Sequence, residues 1–145
     1  MLFEQPRRAV NKVYLHCSAS DSIGLDYFGE RLVATIDDWH QARGWRGVGY
    51  HYLIDKSGTL LKGRDLNKTP AAQKGHNTGS IAIMVHGLEE FSGASLETLT
   101  SWCSQINEAY SGKISFHGHS EVSNKSCPVF DFRALLLLDR FGRMP

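Results

Sequence analysis

The sequence predicts a single α/β domain spanning residues 1–145, with a central mixed β-sheet flanked by helices. Three observations carry that prediction. Segments of strand and helix character interleave along the chain, the pattern of a sheet with helices packed on its faces. Residues 80–87 (SIAIMVHG) form a near-continuous apolar run, as a strand covered on both sides requires. Residues 49–64 read as a hairpin and add an antiparallel pair. A length of 145 residues suits one core.

The elements follow in order. KVYLHCS (12–18) is β-branched and aromatic enough for a strand. Its alternation sets Val13, Leu15 and Cys17 on one face, Tyr14 and His16 on the other. TIDDWHQARG (35–44) is the second half of a helix starting near Asp26 or Phe28. Ile36, Trp39, His40 and Arg43 share its stripe, and Gly44 ends it. The hairpin turns at Asp55-Lys56-Ser57-Gly58, where glycine supplies the positive φ. Residues 66–79 form a long loop. SLETLTSWCSQINEAY (95–110) is a helix capped by Ser95, burying Leu96, Leu99, Trp102, Cys103 and Ile106. KISFHGHS (113–120) is a further strand, and FDFRALLLLDRF (130–141) a closing helix.

Bulk properties exclude several classes. A formal net charge of +1 gives no electrostatic footprint for nucleic acid or a membrane surface. No run approaches the ~20 apolar residues that cross a bilayer. The N-terminus lacks a secretory pattern, so synthesis in the cytoplasm is expected. Three cysteines at irregular spacing do not make a disulfide framework.

The chemistry concentrates in HGHSEVSNKSCPVFD (117–131). Imidazole nitrogen and thiolate sulfur suit Zn²⁺, and a catalytic zinc takes three protein ligands with one open position. A histidine of this stretch and Cys127 supply two ligands, and His16 is the natural third. Alternation puts His117 and His119 on one face, so spacing does not choose between them, although His119 stands nearer Cys127. Each residue also has an ordinary reading: Tyr50 as a half-buried strand aromatic, Lys125 as a loop lysine, Cys127 as a structural thiol. Cys17 reads as core, His51 as packed or hydrogen-bonded, His40 and His86 as structural or peripheral, and Trp39 and Trp45 as core or groove wall. Glu121 and Asp131 are available carboxylates to orient a metal-bound imidazole.

YLHCSAS, DWHQARGWRGVGYHYLIDKSGTLLKGRD, SIAIMVHG and HSEVSNKSCPVFD occur in the order found in the zinc N-acetylmuramoyl-L-alanine amidases. Over about residues 12–135 the chain resembles that family, which includes short phage lysozymes and animal peptidoglycan recognition proteins. The resemblance implies the amidase fold and a Zn²⁺ held by His16, His119 and Cys127, leaving His117 as runner-up. It implies that Tyr50 and Lys125 assist the chemistry. The reaction implied is hydrolysis of the amide between N-acetylmuramic acid and L-alanine in peptidoglycan. The role implied is a phage or prophage endolysin, monomeric, waiting in the host cytoplasm until the membrane is permeabilised. Some relatives bind peptidoglycan without cutting it, typically having lost the cysteine. A phage lysozyme of this type can also bind and inhibit the phage RNA polymerase, a further expected partner to which no residue is assigned. Two departures stand out. Ser80-Ile81-Ala82 replaces a Ser-Ile-Gly common in the family, and the 66–79 loop lacks a histidine seen in some relatives, His76 being out of register.

Overall fold

The computed structural model describes residues 1–19 and 27–145. Five strands, β1 (Lys12–Cys17), β2 (Tyr52–Ile54), β3 (Leu60–Lys62), β4 (Ser80–Val85) and β5 (Ser115–Gly118), form a sheet in the order β3-β2-β4-β1-β5. The β2–β4, β4–β1 and β1–β5 pairs are parallel and β2–β3 is antiparallel, so the sheet is mixed as predicted. Helices α1 (Glu30–Ala42), α2 (Gly93–Ala109) and α3 (Phe132–Leu135) accompany it. Among the described residues no helix is long and apolar enough to cross a membrane.

The alternation of β1 sorts the molecule into two layers. Val13 and Leu15 join Ile81, Ile83 and Val85 of β4 against Leu99, Trp102, Cys103 and Ile106 of α2. On the other face Leu53, Leu61 and Met84 pack under Leu32 and Ile36 of α1. Both helices bury residues three or four positions apart, the stripe an amphipathic helix turns inward. All six residues of β4 are buried, consistent with its apolar run.

Several element boundaries differ from expectation. The last strand spans Ser115–Gly118 rather than 113–120, and His119–Glu121 forms a 3-10 turn instead of continuing it. The first helix begins at Glu30, after Phe28, while Asp26 lies outside the described residues. The cap of α2 is Ser92, not Ser95: the extended Ser92 accepts the Ser95 N–H at 3.0 Å, and Ser95 is buried in the first turn. Leu96 is consequently only half-buried. The closing helix spans 132–135 rather than 130–141. Leu137 takes φ 55°. The Asp139 carboxylate then accepts the N–H groups of Phe141 and Arg143 at 2.8 and 3.0 Å, drawing them into a turn. Four consecutive leucines supply apolarity without a periodic stripe, so nothing prolongs the helix.

Candidate metal centre

The register of the sheet builds the site. Tyr14 pairs with His117 and Leu15 with Gly118 across β1 and β5. One step further brings His119 beside His16, with ring centroids 4.6 Å apart. The two neighbouring histidines do share a face, but they have different neighbours. His117 lies 5.4 Å from the Tyr14 ring, and its nitrogens engage Ser115 Oγ at 2.7 Å and Glu121 Oε1 at 3.3 Å.

The chain turns sharply after β5. A Cβ at Gly118 would stand 2.6 Å from Phe132 Cε1 and 2.9 Å from Pro128 Cδ, so glycine lets the Cys127–Pro128 segment fold back onto the strand. Ser120 N–H donates to the Cys127 carbonyl at 2.8 Å. The Cys127 sulfur accepts the backbone N–H of Cys17 at 2.8 Å, which seats it at the end of β1.

Ligand-capable atoms of His16, His119 and Cys127 all lie within 4.8 Å of one another, the only such group of three or more His, Cys, Asp or Glu among the described residues. A tetrahedral zinc with N and S bonds of about 2.0 and 2.3 Å holds its donors about 3.5 Å apart. A contraction of about 1 Å would therefore close the trio on an ion. The donor chemistry fits as well. Burial, and next the proximity of His119, depress the His16 pKa to about 3. Burial and then Lys125 lower that of His119. Both imidazoles are thus neutral at pH 7, with a lone pair to give. Hydrogen bonding to the Cys17 side chain, then burial, raises the Cys127 thiol, so a metal there must displace its proton.

Tyr50 stacks obliquely on this group, its ring 5.0 Å from His16 and 5.4 Å from His40. Burial pushes its phenol up, leaving a neutral hydrogen-bond donor. Lys125 is exposed on the wall of a groove of about 590 Å³ that His119, Trp45, Lys74, Asn77 and Val122 also line. Trp45 is therefore groove wall, edge-on to His40 at 4.7 Å, whereas Trp39 packs against the α1 core. A hollow of similar size, about 600 Å³, lies between the N-terminal segment and residues 62–67 and touches none of the trio. His51 is structural, its Nδ1 accepting the Ala82 N–H at 3.1 Å and its Nε2 donating to the Lys68 carbonyl at 2.8 Å. His40 accepts the Gly49 N–H at 3.0 Å, and Cys17 and Cys103 are buried. His76 is exposed, 6.4 Å from the Tyr14 ring.

The carboxylates expected to orient the imidazoles do other work. Glu121 holds His117 and the Gly118 N–H, and Asp131 caps α3 through Ala134 N at 3.1 Å. The side chain that meets His16 is Gln73, whose Oε1 lies 2.8 Å from His16 Nε2. A lone glutamine in a loop carries no sequence signal for that role.

The N-acetylmuramoyl-L-alanine amidase family matches residues 6–130. The chain belongs to that family. It is a peptidoglycan amidase, acting on the amide between N-acetylmuramic acid and L-alanine. This amidase is 31% identical over 140 residues to the endolysin of Enterobacteria phage T3, covering 89% of this chain and 87% of the phage protein. It is 32% identical over 138 residues to the endolysin of Escherichia phage T7, covering 88% and 85%. In fold it is similar to N-acetylmuramoyl-L-alanine amidase LysC from Clostridium intestinale URNW, with TM-score 0.76, 24% identity, and 90% and 85% of the two chains covered.

Proposed function

We propose that this amidase is a zinc-dependent endolysin whose ion is held by His16, His119 and Cys127. The observation that carries the reading is the meeting of two neutral imidazoles and one thiol, drawn from β1, the turn after β5 and the following loop, beside an open groove. When bound, Zn²⁺ supplies Lewis-acid polarisation of the scissile carbonyl and activation of water near neutral pH.

The remaining chemistry belongs to the protein. The groove beside His119 takes the glycan–peptide junction, with the Trp45 ring as an apolar wall. The Lys125 ammonium at its rim offers positive charge to the oxyanion that develops as the amide is attacked. Tyr50, neutral and pressed against His16, donates a hydrogen bond that orients water or the carbonyl. One chain supplies every proposed group, so the enzyme works as a monomer. By likeness to the phage endolysins it is held in the host cytoplasm and meets the wall once the membrane is permeabilised.

Metal analysis of the purified protein, followed by mass analysis of digested muropeptides with and without chelator, tests this. The expected result is about one zinc per chain, free L-alanine amines on the released peptides, and loss of both cleavage and metal on chelation. Cleavage at the native rate by metal-free protein would remove zinc from the reaction. Zinc bound without cleavage would make the chain a binding module instead.

A further inference from the structure

The long loop after the hairpin makes its one deeply buried side-chain contact with the site through Gln73, which is fully buried. The loop is laid down by close backbone packing. A Cβ at Gly49 would stand 2.1 Å from the Ala71 carbonyl oxygen, and Ala71 N–H donates to the Gly49 carbonyl at 3.1 Å. Asn77 Oδ1 then accepts the N–H groups of Ala72 and Gln73 at 3.1 and 3.0 Å, fixing the backbone that carries the side chain.

The hydrogen-bond directions around Gln73 can be read in one sense. Ser80 Oγ has a single hydrogen, which it donates to the Asn77 carbonyl at 2.8 Å. It must therefore act as acceptor toward Gln73, at 2.7 Å, so the group facing it is the amide nitrogen. The His76 carbonyl, 3.4 Å from that nitrogen, also only accepts. The Gln73 oxygen is thereby turned to His16, whose Nε2 must donate. The proton of the neutral ring sits on Nε2, and the lone pair sits on Nδ1.

We infer that Gln73 is a positioning residue for the metal: it holds His16 in the Nε2–H tautomer and presents Nδ1 to the ion that His119 and Cys127 share. A neutral amide fills the place that a carboxylate or carbonyl takes beside many metal-bound imidazoles. It orients the ring without adding negative charge in a buried setting. It also gives the 66–79 loop a function at the metal in addition to lining the groove.

The zinc arm of the test rests on the reading above, while the tautomer arm is independent of it. Nitrogen-15 NMR of the imidazoles in the metal-free protein reads the tautomer. Competition of Zn²⁺ against a chromophoric chelator reads affinity. The native protein is expected to show Nε2–H at His16. Gln73→Met, of similar volume but without an acceptor, should lose that single tautomer and bind Zn²⁺ about 10- to 100-fold more weakly. Gln73→Glu keeps an acceptor and should retain both within a few-fold. An Nδ1–H tautomer in the native protein would overturn the inference, as would Gln73→Met with native tautomer or native affinity. Should Gln73→Met fail to fold, the native tautomer and Gln73→Glu still decide. If native protein binds no Zn²⁺, the metal reading fails, and the tautomer comparison alone judges Gln73.

Discussion

The two faces of the sheet are treated differently. On one, α2 lies over β1, β4 and the strands beside them and seals an apolar layer from Val13 to Ile106. On the other, α1 covers only part of a single cross-sheet row. That row runs Leu61, Leu53, Met84, His16 in backbone register, with His119 one step beyond. Leu61, Leu53 and Met84 sit under α1, and the row continues as imidazole beyond them. The same strand geometry thus yields core where a helix covers it and chemistry where the cover stops. Stability and activity should separate by face.

The largest effect expected is on the open face. Cys127→Ser keeps an acceptor for the Cys17 N–H but loses the soft thiolate. Muropeptide release should fall on the order of 10³-fold or more, with the melting temperature of the metal-free protein little changed. Equal loss of stability would show that the open face is structural after all. Next comes the sealed face. Leu99→Ala should cost about 2–5 kcal/mol in urea unfolding while zinc affinity of the folded protein stays native. Gly118→Ala crosses the divide, because its methyl meets Phe132 and Pro128 at the base of the Cys127 loop. A cost of about 1–3 kcal/mol and a concurrent fall in cleavage are expected, and a silent substitution would mean the turn is not tightly packed. The last effect is on pH. Unfolded His16 takes a proton near pH 6.5, but the native ring resists down to about 3. Its contribution is complete above pH 6.5 and is lost as pH falls, by about 1.4 kcal/mol per unit. His51, depressed to about 4 by burial, acts in the same direction. Metal-free protein melted at pH 7 and pH 5 should show the drop, and His16→Gln should shallow it.

Much of this was legible in the residues. Alternation in 12–18, the near-continuous apolar run at 80–87 and the turn at Asp55–Gly58 are local signals, and each corresponds to an element of the sheet. The stripe of α2 was equally clear, though its cap lay three residues earlier because Ser92 and Ser95 are both chemically able to cap. The end of α3 depended on a positive φ at Leu137 and a side-chain competitor at Asp139, neither of which a leucine run reveals. At the site, residue types pointed to His16, Cys127 and one of His117 and His119, and it was the resemblance to the amidases that implied His119. The choice between His117 and His119 by geometry required the β1–β5 register, a pairing more than 100 residues apart in sequence. Gln73 was invisible because its importance comes wholly from where loop packing delivers it.

The seating of Cys127 against Cys17 joins positions 110 residues apart. An ion shared by His16 and Cys127 would act as a clasp on that span, tying the first strand to the last loop. Such a clasp removes freedom mainly from the unfolded chain, and its benefit grows with metal activity because only the folded form offers all three donors. Loading the metal would then be a folding event as much as a catalytic one, and the zinc-bound enzyme should survive proteases that digest the bare chain.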